Sequence, residues 1–288
     1  MDTPTPGGVS APRRSGVIVR RFFPLFLLVI GAVSGFAGSF IQTNPTTVEM
    51  SLGAGRAKKG RITVFNPRST ETTIEVSVVD GWKQQTGKST LSPDQWFYLK
   101  LPKHFVVPAN GQRSLKYRVR APADFQGETM AFVYFRLPPD RKGGGVGIQL
   151  GYAVPFYMAV RGTEKLTMKL DKLSAYPLGG GGWRYGVTLS SDGNVHVRPR
   201  IEVTLFNEDG LELDRTPLEH GPPIYPGRSR EIYGKCALGD RAPGRYKARV
   251  DVNFAPLGGG NQTLRGEYDL LIGPAGPVFS PSAGVTKP

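Results

Sequence analysis

The chain has one cysteine, Cys236, and three histidines, at 104, 196 and 220, among 288 residues. A single thiol excludes an intramolecular disulfide framework and a Cys-rich zinc site. Three scattered histidines leave little from which to build a histidine metal cluster. Cys236 has no His or Asp pattern beside it, which favours a packed or free thiol over a nucleophile. Helical periodicity is missing after residue 40, and acidic residues are missing between Thr3 and Val48. No run of five or more basic residues occurs, although 37 Lys+Arg against 23 Asp+Glu give a net charge of +14. Phosphate binding wants a concentrated basic patch. The dispersed bases therefore read as a solvated positive face and not as a nucleic-acid module, with affinity for acidic polymers or an anionic membrane surface left open. No catalytic set, metal site or cofactor motif emerges, so the expectation is a protein that is not an enzyme.

Glycine and proline are abundant, at 38 and 25 residues. A hydrophobic content of 39% with 10% aromatics supplies enough apolar area for cores, which argues against wholesale disorder. Arg20-Arg21 precede a mostly apolar stretch, Phe22–Ala37, that runs into the small residues Ala37-Gly38-Ser39. A charged start, a short apolar run and small residues at the −3 and −1 positions are the pattern of a secretory signal. A membrane span wants about twenty apolar residues, so an uncleaved anchor is the second reading of the segment. Residues 1–39 carry only four Arg and Asp2, so most of the positive charge lies in the exported part.

Beyond residue 40, short alternating runs are separated by turn residues, as in β-sandwiches. The first group is Thr46–Leu52, Arg61–Asn66, Thr73–Val79, Gln112–Val119, Met130–Leu137 and Ile148–Val160. Asn66-Pro67, Asp80-Gly81, Ser92-Pro93-Asp94 and Pro108–Gly111 punctuate them as turns. The second group is Leu166–Leu173, Trp183–Ser190, Val195–Phe206, Leu211–Asp214, Arg228–Tyr233, Gly244–Phe254 and Thr263–Ile272. Each group has the size of an immunoglobulin-like sandwich. The expected division is a signal segment at 1–39, sandwiches at 40–162 and 163–273, and a disordered tail at 274–288. His196, inside an alternating run, reads as a side chain on a sheet face. Trp82, Trp96 and Trp183 read as core aromatics and not as sugar-stacking platforms. Gly179–Gly182 and Gly258–Gly260 read as hairpin turns, because neither precedes a Lys-Ser/Thr pair or opens a helix.

Taken in order, the first group resembles the N-terminal domain of the PapD-like periplasmic pilus-assembly chaperones. Phe40–Leu52 resembles that family's first strand. Arg61–Pro67, ending Val64-Phe65-Asn66-Pro67, resembles its second strand and closing Asn. Leu101–Gly111 before Gln112–Val119 is similar to its proline-and-glycine turn, and Phe132–Pro138 to its sixth strand. The second group, with Gly193–Val197, Tyr225-Pro226-Gly227 and Gly244-Arg245-Tyr246, resembles the second sandwich of such chaperone-like proteins. The resemblance implies a non-enzymatic periplasmic protein whose partners are secreted or pilus-type subunits and an outer-membrane usher. In that family a first-strand Arg and a last-strand Lys hold the client's terminal carboxylate. The corresponding positions here fall near Thr47 and Tyr157, and neither is cationic.

The run Ile148–Val160 stands out without the family. Every even position is apolar: Ile148, Leu150, Tyr152, Val154, Phe156, Met158 and Val160. Thirteen alternating residues span roughly 43 Å, more than a sandwich needs to cover its own core. Pro155 cannot donate to a ladder, which favours an edge or a bulge. A long apolar edge is an aggregation hazard unless something uses it. Donation of the strand to an incomplete partner sandwich would use it, with main-chain bonds for affinity and alternate side chains for specificity. An ordinary interior strand bent at Pro155 and a strand-mediated dimer remain open beside it.

The sequence thus implies an exported, all-β protein of two tandem immunoglobulin-like sandwiches. Its expected function is that of a periplasmic chaperone-like assembly factor binding subunits by β-strand augmentation through these seven residues. Nucleic acid is not an expected partner, and membrane contact is expected only through residues 22–37 if they are retained. The alternative is a structural or adhesive cell-envelope protein that uses its positive charge to bind envelope polymers.

Overall fold

The computed structural model describes residues 41–87, 93–99, 103–138, 150–218, 221–236, 238, 241–255 and 260–282. The expected signal segment, Ile148 and residues 283–288 lie outside them. The first strands are β1 (Gln42–Asn44), β2 (Val48–Leu52), β3 (Ala57–Phe65) and β4 (Thr72–Asp80). Two short helices follow, α1 (Gly81–Thr86) and α2 (Pro93–Trp96). Then come β5 (Phe97–Leu99), β6 (His104–Val107), β7 (Gln112–Arg120), β8 (Glu128–Arg136) and β9 (Gly151–Val160). The remaining strands are β10 (Met168–Pro177), β11 (Trp183–Ser191), β12 (Arg200–Phe206), β13 (Glu212–Pro217) and β14 (Arg228–Cys236), then β15 (Gly244–Phe254), β16 (Gln262–Gly273) and β17 (Gly276–Pro281).

The sheets divide into two sandwiches. The first faces a four-stranded sheet, β1-β3-β7-β5, against a five-stranded one, β2-β9-β8-β4-β6. The second faces β10-β11-β14 against β13-β12-β15-β16-β17. The period-2 patterns of the sequence are what close each core. In β7, Leu115, Tyr117 and Val119 are buried while Lys116, Arg118 and Arg120 are exposed. They pack with Ile62, Val64, Ile74, Phe135, Phe156 and Met158 into one apolar cluster. A second cluster gathers Tyr185, Val187, Leu189, Val203, Leu205, Val250 and Val252. Trp82 and Trp96 are buried, and Trp183 is half-buried against the second cluster.

Three details depart from the sequence reading. Asp80-Gly81, taken as a bare turn, starts α1: the Asp80 carboxylate accepts from the Lys83 amide at 2.9 Å, and Gly87 closes the helix at φ +76°. A helix this short needs its caps, and it offers too few residues for a periodic signal. The tail expected to be disordered from residue 274 instead forms β17, antiparallel to β16 in the register Leu270↔Phe279. Pro277 and Pro281 hid it from a periodicity argument, yet an edge strand bonded on one side tolerates proline. Phe279 packs against the second core, its ring 6.1 Å from Tyr185. Finally, strand β12 starts only at Arg200, so Val195–Pro199 forms a connection with a single bridge, Val197↔Ile224.

Candidate functional site

Strand β9 is bonded to β8 along its whole length, from Gly151↔Arg136 to Ala159↔Glu128. On its other side the parallel partner β2 covers only Phe156 to Val160, beginning at Val48↔Phe156. Upstream of Val48 the chain turns away through the cis Asn44–Pro45 bond to β1, which belongs to the opposite sheet. Among the described residues, nothing pairs with Gly151–Val154 on the side away from β8. The ladder phase identifies the groups that face this opening. Leu137 N donates to Leu150 O at 2.8 Å and Val160 N to Gly127 O at 2.9 Å, so even-numbered residues bond towards β8. The main-chain groups of Gly151 and Ala153 therefore point into the open edge, while the Pro155 carbonyl faces Val48 at the first rung of the β2 ladder. Pro155 has no N–H to waste there.

The even-numbered side chains divide along the strand. Val154, Phe156, Met158 and Val160 are fully buried in the core of their own sandwich. Tyr152 is partly buried against that core, and Leu150 is 42% exposed. The buried four secure β9 to its own domain. Among the described residues of the stripe, only Leu150 and Tyr152, with the open main chain beside them, offer a surface.

The odd-numbered face leads to a second feature that sequence reasoning missed. Tyr157 is buried, and its hydroxyl lies 3.1 Å from that of Tyr225 in the other sandwich. Trp82 meets Tyr225 edge-on at 6.1 Å, and Met130 and Phe132 complete this small apolar joint. Beside it, His196 stands between two carboxylates. Its Nδ1 lies 2.8 Å from both oxygens of Glu128, and its Nε2 is 3.6 Å from Glu49. The His196 amide also donates to Glu128 at 3.3 Å. The ring lies 4.0 Å from that of Tyr157. Arg198 clamps Glu49 at 2.8 Å and sits over the Tyr157 ring.

Burial raises the Glu128 carboxyl above the ordinary range, with His196 opposing it. Burial works against a charged His196, but hydrogen bonds to Glu128 and Glu49 outweigh it and raise its pKa. Glu49 is held down to about 2, first by His196 and, against partial burial, by Arg198. His196 is thus a buried link between sandwiches and not a sheet-face side chain. Its position in the irregular Val195–Pro199 connection explains the misreading. One signal was available: Glu128 heads a strand that continues Thr129-Met130-Ala131-Phe132, and a carboxylate entering an apolar run calls for a partner. Tyr157, at a position where the resemblance would put a cation, is occupied in this joint, whereas Thr47 is exposed.

In its two-sandwich arrangement the chain is similar to the PapD-like fimbrial periplasmic chaperones. No family model and no curated protein matches the sequence. Among solved structures it is similar to the class 5 fimbriae chaperone CfaA, at 12% identity and a TM-score of 0.44, over 79% of this chain and 98% of that one. The E. coli chaperone DraB matches at 15% identity and a TM-score of 0.39, over 79% and 96%. A PapD-like domain of human CEP192 matches at 10% identity and a TM-score of 0.33, over 52% and 97%. These are likenesses of fold at low identity.

Proposed function

We propose that the protein is a periplasmic chaperone-like assembly factor that holds secreted or pilus-type subunits by β-strand augmentation. The observation that carries this reading is the half-covered β9, paired with β2 from Phe156 onward and bonded on one side only over Gly151–Val154. A sheet edge with free N–H and C=O groups is a template for an added strand. The surface is narrower than the seven-residue stripe drawn from the sequence. Val154 to Val160 hold the edge in place from within the core. Leu150, Tyr152 and, outside the described residues, Ile148 are left to select the client. The signal-like segment Phe22–Ala37 supports an exported location, and an usher would be the natural acceptor of the held subunit.

The test uses Ala153→Pro, which removes an N–H facing the open edge without touching the β8 ladder. Pilin-type subunits lacking one strand of their own sandwich are incubated with the full chain, and their solubility is followed. Wild type keeps them soluble and the variant does not, although both melt alike. Equal protection by the two forms would overturn augmentation at this edge.

A further inference from the structure

The four strands of the sheet β1-β3-β7-β5 contain no acidic residue, yet β3 and β7 carry Lys58, Lys59, Arg61, Arg113, Lys116, Arg118 and Arg120. Their register decides where these charges go. Lys59 lies directly opposite Arg118, and Arg61 opposite Lys116. All four share the outward face of the sheet, since Ile62, Leu115, Tyr117 and Val119 occupy the inward one. Arg120, opposite Ala57, extends the row. All five are exposed, and none takes part in an ion pair among the described residues.

Like charges placed directly across a strand pair repel. Neighbouring strands lie about 4.8 Å apart, and residues two apart along a strand about 6.8 Å. Each of the first four cations therefore has its nearest like charges closer than one Debye length at physiological salt, which is ~8 Å. Among the described residues, no salt bridge relieves that repulsion, and an external anion would.

We infer that this face docks on an anionic phospholipid surface. The patch is a ridge of side chains on a sheet face, whereas single-stranded nucleic acid is held in basic grooves. Half-buried Phe65, on the same outward face, adds an apolar ring of the kind that surface-bound segments press into the headgroup boundary. In the sequence, the apolar stretch Phe22–Ala37 reaches β1, the edge of this same sheet, after only four residues. Retained as an anchor, such a segment would hold this sheet beside a membrane. This inference is independent of client binding, because β9 belongs to the opposite sheet.

The experiment is co-sedimentation of the full chain with vesicles of equimolar phosphatidylglycerol and phosphatidylcholine, and with vesicles of phosphatidylcholine alone. Wild type prefers the anionic vesicles, and the preference fades with added salt. The variant with Lys59, Arg61, Lys116 and Arg118 all changed to Gln loses at least about tenfold of that preference, given roughly fivefold per cation near such a surface. A control with Lys172, Arg228, Lys235 and Lys247 changed to Gln, equal in charge but located on the second sandwich, retains it. The double variant Arg61→Gln/Lys116→Gln falls between. Melting of the fourfold sheet variant at or above the wild-type temperature accompanies the loss, because repulsion is removed. Equal loss in variant and control, or no preference for anionic vesicles, would overturn the inference. Binding to heparin or single-stranded DNA without vesicle preference would overturn it in favour of a soluble polyanion.

Discussion

His196 Nδ1 lies 2.8 Å from the Glu128 carboxylate, and this buried pair links the two sandwiches. Removing one member leaves the other charged group buried without its partner. We expect His196→Ala to cost about 3–5 kcal/mol of stability, read from urea unfolding. Loss of under about 1 kcal/mol would show that water or Arg198 replaces the ring.

The same pair sets a pH dependence. The raised pKa of His196 means that its stabilisation is complete below the ordinary histidine value of 6.5 and is lost as pH rises through the folded value. The raised pKa of Glu128 works in the same direction. Glu49 acts oppositely, its contribution being present above 4.5 and lost as pH falls towards about 2. Stability is therefore expected to peak in weak acid and to decline on the alkaline side. The stability gap between wild type and His196→Gln narrows as pH rises above neutrality. Parallel curves in thermal melts across pH 5 to 9 would refute the assignment.

Gly60 faces the Tyr117 ring so closely that a Cβ there would fall on the ring atoms. Tyr117 has no room to retreat, being stacked on Phe97 at 5.8 Å and edge-on to Phe156 at 5.0 Å. Gly60→Ala is expected to destabilise by about 1–3 kcal/mol through overpacking, seen as a lower melting temperature. Adding Tyr117→Leu should recover part of the loss.

Asn66 is buried at the end of β3 and bonds four main-chain groups. Its Nδ2 donates to the carbonyls of Thr70, Val107 and Pro108 at 2.9, 3.2 and 3.0 Å, and its Oδ1 accepts from the Arg68 amide at 3.1 Å. Asn66→Ala leaves those groups unsatisfied and should cost about 2–4 kcal/mol in urea unfolding. Asn66→Asp should cost more than a surface Asn→Asp change, since a carboxylate would face three carbonyls.

Much of this was legible in the order of residues. Alternation in Thr73–Val79, Gln112–Val119 and Gly244–Phe254 marked strands, because burial on one side of a pleat leaves a period of two. Asn66, the punctuating turns and the unusual length of the run ending at Val160 were visible for the same local reason. α1 and β17 were not, the first because its stability lies in two caps, the second because its prolines conceal an edge strand.

The sequence by itself determined an all-β chain with two cores and a net positive charge, since composition and period act locally. Only the tertiary structure decided which part of β9 is bare, because that depends on where β2 stops. The same holds for the pairs Glu128–His196 and Tyr157–Tyr225, which meet across two sandwiches. The cations that look scattered along the chain become one patch because strand pairing sets Lys59 against Arg118 and Arg61 against Lys116. Register between distant strands is a long-range property, and a local period of two fixes it only to within an even shift.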